Sequence, residues 1–267
     1  MYIPPLIDGH HAVRIGAAMA MPAFAPGMAE GIETELSLFI CFTNRCGSNF
    51  LVDLLAATGQ LPRGGEFLNA PTVLHRSRAA GITGFDIYCR LLHEKNARAG
   101  RLVAKAGIEQ LAMLARLGYF GTLFPNPHFI HIHRYDVVAQ AVSYQFAFHT
   151  REWIAGQERA AADDSAQYDR AKIAARIERV NLENAMIRQF LQVNRLRHLP
   201  VQYEHLEAMP DRTVAMIADW LGLGPVRIDP KRLKVARQAS DLKRQFHDRY
   251  LNETAQAGLA GPSGTIA

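Results

Sequence analysis

Cysteine is scarce here: three residues, Cys41, Cys46 and Cys89, in a chain of 267. Three thiols cannot build a disulfide framework. Cys41 lies in an apolar run, where a packed, reduced thiol is expected, and a reducing cytoplasm is the expected compartment. No apolar run approaches the ~18 residues of a membrane helix, so no integral membrane segment is expected. No long Lys/Arg block occurs and the formal charge is +5, which argues against nucleic acid as a partner while favouring anionic ligands. C-x-x-C and H-E-x-x-H are both absent. His131 and His133, on one side of a strand, therefore read as packed histidines rather than half a zinc site, and no metal is expected. The small apolar stretch 15–25 contains A-x-A triplets, but only Arg14 precedes it as a basic residue and Pro22 interrupts it. A secretory signal is disfavoured there.

What is present is an ordinary globular balance, 49% hydrophobic and 21% charged residues, at a length that affords a sizeable core. Residues 1–34 have no steady period and read as a loosely ordered extension. The body of the domain is expected over 35–252, with a flexible tail over 253–267. Residues 36–42 form an apolar run interrupted only by Ser37, the pattern of a central parallel strand buried on both faces. Phe50, Leu51, Leu54 and Leu55 then fall at helical spacing, and Gly59 stands where that helix stops. Further strands are expected over 101–107, 128–133 and 199–206. Helices are expected over 108–117, over 137–148 with Asp136 as N-cap, and over 213–221. Ile173, Ile177, Val180, Ile187 and Leu191 mark one stripe of a longer helix. Strands alternating with helices predict an α/β fold with a mainly parallel sheet flanked by helices. Ligands of such sheets sit at the carboxyl ends of the strands, where both 44–49 and Arg134 fall.

The stretch TNRCGSN, at 43–49, joins the first strand to the first helix. A glycine-containing turn before a helix points backbone N–H groups at one spot, where the helix dipole adds about half a positive charge. Gly47 allows close approach of an oxyanion, Ser48 and Asn49 add side-chain donors, and Arg45 adds charge. The competing explanation is an ordinary turn with Ser48 as N-cap. A nucleotide-hydrolysing loop would read G-x-x-x-x-G-K-[ST], but Ser48 follows Gly47 and no glycine stands upstream at the right distance. A thiol phosphatase centred on Cys46 needs an arginine several residues on, where Val52 stands.

These residues resemble a known family, the bacterial trehalose 2-sulfotransferase-like sulfotransferases. TNRCGSNFLVDLLAATG is similar to the family's phosphosulfate loop, of the form S-Q-R-S-G-S-T-L-L with a helix ending at T-G. GGEFLN (64–69) resembles its acidic segment, and HIHRYDVVAQAVS (131–143) its R-R-x-D-x-V-x-Q-A-V-S signature. HTREW, QYDRAKI, VQYEHLEAMP and RLKVARQASDLKRQFHDRY follow in family order. The resemblance runs from about 36 to 250.

It implies a P-loop-like turn and a donor, 3′-phosphoadenosine-5′-phosphosulfate, whose product is 3′,5′-adenosine bisphosphate. Arg45, Cys46, Gly47, Ser48 and Asn49 would cradle the 5′-phosphosulfate; Cys46 replaces a serine and Asn49 a threonine. Arg134 and Ser143 would bind the 3′-phosphate, with Gln238 in the basic C-terminal segment, beside Lys234 and Arg237, near the nucleotide. Glu66 would be the catalytic base and Arg45 would stabilise the leaving oxygen. His75 and His93 are the fallback bases. The acceptor implied is a hydroxyl of a carbohydrate or glycoconjugate, its pocket shaped by 67–98 and 148–169, with Trp153 and Tyr168 as aromatic candidates. A homodimer is compatible with the family. Two alternatives stand beside this: a P-loop-type small-molecule kinase, and a nucleotide-binding protein that has lost turnover.

Overall fold

In a computed structural model of the chain, which describes residues 1–5, 9–153, 165–234 and 240–259, four strands form one parallel sheet in the order β2-β1-β3-β4. The strands are β1 (Leu36–Cys41), β2 (Arg101–Ala106), β3 (Pro127–His133) and β4 (His198–Gln202). From β1 the chain moves to one side to form β2, then crosses to the other side to form β3. The carboxyl ends of β1 and β3 therefore flank a topological switch point.

The chain divides into two compact units. The first is Met1–Tyr135 with Glu183–Lys234 and contains the sheet; the second is Asp136–Leu182 with Val235–Ala267. In the first, alternate strand residues feed two cores. Phe39, Cys41, Leu102, Ala104 and Phe129 pack with α3 (Ala70–Ala80), α4 (Phe85–Asn96), α5 (Ile108–Leu117) and the end of α7 (Arg170–Val193). Leu38, Ile40, Val103, Ile130 and Ile132 pack with α2 (Ser48–Ala57) and α9 (Pro210–Trp220). Every residue of β1 is buried, Ser37 included, as expected of a strand covered on both faces. In the second unit, Ala141, Val142 and Phe146 of α6 (Val137–Thr150) pack with Ile173 of α7 and Phe246 of α10 (Asp241–Leu259).

The boundaries follow local chemistry. Asp136 caps α6 by accepting the Ala139 N–H at 2.8 Å. α9 starts before the expected 213 because Pro210 occupies its first position, where a missing N–H costs nothing. The strand expected over 199–206 ends at Gln202, and Tyr203–Ala208 forms a short helix, α8. Contacts decide this: the Tyr203 hydroxyl donates to Glu207 at 3.0 Å, one turn on, and Leu206 is fully buried.

The stretch ahead of β1 is packed. It forms α1 (His10–Gly16), which buries Ile15 completely in the first core. Backbone bonds then join Ala20 to Thr83 and Phe24 to Leu117, at 2.8 and 2.7 Å. α10 likewise runs to Leu259, into the stretch expected as a tail. Among the described residues no helix is long and apolar enough to cross a membrane.

Candidate active site

The turn after β1 carries two left-handed residues, Arg45 (φ 65°) and Gly47 (φ 93°). For arginine that conformation costs roughly 1–2 kcal/mol, which the surrounding contacts must offset. Within the turn the Cys46 N–H donates to the Thr43 carbonyl at 3.3 Å, and Cys46 is fully buried. Burial raises the Cys46 thiol, opposed by hydrogen bonding from Ser48 and by the charge of Lys105. The sulfur thus belongs to the interior.

Gly47 lies against Tyr203. A Cβ there would stand 2.1 Å from the ring's Cδ2. The Arg134 guanidinium lies 4.6 Å from the centre of that ring, a cation–π contact, so Tyr203 touches both the turn and the arginine that follows β3. Arg134 Nε is 3.7 Å from Glu204 Oε1, too long for a hydrogen bond, and is a buried polar atom without a hydrogen-bond partner among the described residues. Glu204 also accepts the Tyr135 N–H at 3.0 Å.

Glu66 reaches the same region from the other side of β1. Its loop lies flat on the free edge of β2: Gly65 O accepts the Lys105 N–H at 2.9 Å. Gly64 permits the approach, since a Cβ would lie 2.6 Å from Val103 Cγ1. The Glu66 carboxylate then accepts from Lys105 Nζ at 2.7 Å and from Asn69 Nδ2 at 2.5 Å. Lys105 Nζ also donates to Asn49 Oδ1, in the first turn of α2, at 2.6 Å. Arg45–Asn49, Glu66 and Arg134 are thus gathered around the carboxyl ends of β1, β2 and β3. Ser143, half-buried on α6, belongs to the second unit. Gln238 and Arg237 lie outside the described residues.

Sequence reasoning missed three residues of this region. Lys105 is only 3% exposed, and a lysine inside LVAKA on a two-face-buried strand was the available signal. Asp53, fully buried on α2, accepts from Arg63 and from the Lys234 N–H at 2.7 Å, which holds the start of the basic C-terminal segment to this helix. Tyr203 had no signal beyond its place in the resemblance.

The fallback histidines are otherwise placed. His93 is buried, its Nδ1 paired with the Thr34 hydroxyl at 2.8 Å, and burial pushes it down to about 4. His75 stands on α3. His131 pairs with Asn184 at 3.1 Å and burial pushes it down to about 4 as well. No group of three metal-ligating side chains occurs among the described residues. In the second unit, Trp153 packs on Tyr144 and Phe148, while the Tyr168 hydroxyl donates to Glu253 at 2.7 Å and its ring packs on Phe246.

Two curated relatives are similar in sequence, both trehalose 2-sulfotransferases. That of Mycolicibacterium smegmatis is 31% identical over 134 residues, and that of Mycobacterium tuberculosis 30% over the same length. Each match covers 50% of this chain and 49% of the relative, so the chain spans about half the length of the curated relatives it matches. Among solved structures, a sulfotransferase from Alicyclobacillus acidocaldarius aligns over 82% of this chain and 92% of its own, at 19% identity and a TM-score of 0.43. The sulfotransferase domain of the curacin biosynthetic pathway aligns over 82% and 96%, at 14% identity and a TM-score of 0.42. The Stf0 sulphotransferase profile matches residues 114–253, which include Arg134 and Ser143 but neither the turn after β1 nor Glu66. With that match running over more than half of its length, the chain belongs to the Stf0 sulphotransferase family.

Proposed function

We propose that this chain is a sulfotransferase that moves a sulfuryl group from 3′-phosphoadenosine-5′-phosphosulfate to a sugar hydroxyl. The observation that carries it is the convergence of Glu66, the turn 43–49 and Arg134 on one sheet end, with the arginine's Nε buried and unbonded. An orphaned guanidinium N–H suits a phosphate oxygen, which accepts a charge-assisted hydrogen bond. The left-handed glycine and the start of α2 suit a second anion. Family membership supports the donor class, and the trehalose enzymes among the relatives support a sugar acceptor.

The donor supplies an activated sulfuryl group on a nucleotide phosphate. Arg45, the Gly47 and Ser48 N–H groups and the Asn49 amide hold its 5′ end. Arg134 holds the 3′-phosphate, with Ser143 and Gln238 as further candidates. Glu66 takes the proton of the acceptor hydroxyl as its oxygen bonds to sulfur. The sulfur–oxygen bond to the phosphate breaks and the electron pair stays on the phosphate oxygen, where Arg45 and the turn N–H groups stabilise it. No covalent enzyme intermediate and no metal is needed.

Thermal shift with 3′,5′-adenosine bisphosphate, against AMP and Mg-ATP, tests this. The bisphosphate is expected to raise the melting point where the other two do not. Stabilisation by Mg-ATP alone would instead indicate a kinase. Bisphosphate binding without transfer from the phosphosulfate donor to any sugar in a panel would indicate a protein that has lost turnover.

A further inference from the structure

A lysine ammonium has three N–H bonds and no acceptor. At Lys105 all three directions are taken: Asn49 Oδ1 at 2.6 Å, Glu66 Oε1 at 2.7 Å, and the face of Phe42, 4.4 Å from the ring centre. The side chain is 3% exposed and lies on the face of β2 that carries Val103, beneath the start of α2. It has no free direction toward a ligand, so it acts through the groups it holds.

Those groups come from the two sides of the proposed reaction. Asn49 belongs to the first turn of α2, where the donor's 5′ end is expected. Glu66 is the expected base and, at 39% exposed, the one charged group of the cluster open to an acceptor. A relay fixes the second carboxylate oxygen: Asn69 Nδ2 donates to it at 2.5 Å, Gln110 Nε2 donates to Asn69 Oδ1 at 2.5 Å, and the Gly107 N–H donates to Gln110 Oε1 at 3.0 Å. The relay ends on backbone at the turn between β2 and α5. The loop itself is held separately, by the Lys105 N–H on Gly65 O, a backbone bond whose donor Lys105→Met retains.

We infer that Lys105 is a positioning residue for sulfuryl transfer: it locks the base and the anion-binding turn into one register from below. The inference rests on the sulfotransferase reading and on Glu66 as base. Lys105 also turns the Asn49 oxygen inward, which leaves the NH2 end as the part of Asn49 suited to an anion. The turn has no lysine in its own sequence; the cation on the adjacent strand reaches it only through the Asn49 side-chain oxygen.

The test is a double-mutant cycle on Lys105→Met, Glu66→Gln and the pair. Release of bisphosphate from the phosphosulfate donor is followed with trehalose as acceptor and, in a second arm, with water alone. Bisphosphate binding is measured by thermal shift on every variant. Lys105→Met is expected to bind the bisphosphate within about threefold of wild type, with kcat down at least tenfold and KM for the donor little changed. In the Glu66→Gln background the same change is expected to cost less than twofold, because the group it positions is already gone. Asn69→Ala, which frees the other oxygen without stranding a buried charge, is expected to give the same kcat-only loss and keeps the test open should Lys105→Met not fold. Three results overturn the inference: wild-type kcat in Lys105→Met or, if that does not fold, in Asn69→Ala; losses that multiply in the double variant; or a rise in bisphosphate Kd with kcat unchanged, which would make Lys105 an anion ligand. A wild-type protein that neither binds the bisphosphate nor turns over the donor in either arm instead removes the sulfotransferase reading itself.

Discussion

Gly47 combines two requirements that no other residue meets. Its φ of 93° lies in the left-handed region, and a Cβ would stand 2.1 Å from the Tyr203 ring, which Arg134 and Glu207 hold in place. Gly47→Ala is expected to destabilise by about 1–3 kcal/mol and to abolish the bisphosphate-dependent rise in melting temperature. Arg134→Ala should separate the two effects. It removes an unbonded Nε, a ring contact and a long, 3.7 Å ion pair with Glu204, so the fold should survive while the ligand's stabilisation, ~2.7 kcal/mol at a hundredfold excess over Kd, is lost. Cys41, Cys46 and Cys89 are all fully buried, and burial raises all three thiols. None should react with a thiol reagent near neutral pH in the native protein, and all should react after unfolding. At this scale the sequence showed chemistry but not partners. Glu66, Arg45 and Arg134 were legible as charged residues in turns and at strand ends. Lys105, Asp53 and Tyr203 were not, because what matters about them is which distant residues they touch.

Elements were legible where one face pattern dominated. β1, α2, α5 and β3 fall within a residue or two of their expected bounds, since a short, mainly apolar run or a clean helical stripe leaves little choice. α1 was not legible. It is short, carries neighbouring histidines at its start, and is held by contacts far along the chain: His11 N–H to Glu109 at 3.3 Å, and Ala70 N–H to His11 Nδ1 at 3.1 Å. Its burial gives a direct expectation. Ile15→Ala removes a fully buried side chain and should cost about 2–5 kcal/mol, lowering the melting temperature by roughly 2–4 °C per kcal/mol, as read by calorimetry. A loosely ordered extension would show no such loss. α8 lies inside the stretch expected as strand: Val201 to Glu204 alternate, which fits a strand, but the Tyr203–Glu207 bond and the burial of Leu206 belong to a helical turn.

For the whole molecule, two buried histidines tie stability to pH. His93 and His131 are each pushed down by burial from an ordinary value near 6.5 to about 4. The unfolded chain therefore takes up protons first as pH falls. Stability from these groups is complete above about 6.5 and is lost as pH drops from there toward 4, by at most ~1.4 kcal/mol per pH unit for each histidine. Denaturant midpoints measured across that window should fall with acid, and His93→Gln should flatten the slope. The sequence by itself determined the class of fold and the sheet end at which a ligand is expected. Apolar runs alternating with helical stripes dictate a parallel α/β sheet, and such sheets present their loops at the carboxyl ends of the strands. The tertiary structure alone decided what those loops meet there. A glycine loop had to lie against the free edge of β2 before Glu66 faced Lys105, and β4 had to end in a helix before Tyr203 covered Gly47 and stacked on Arg134. Periodicity reports which face of an element is buried. It carries no record of which distant charge that face is buried against, and here the paired charges of the candidate site come from segments 39 residues apart, brought together only by the crossover that lays β2 beside β1.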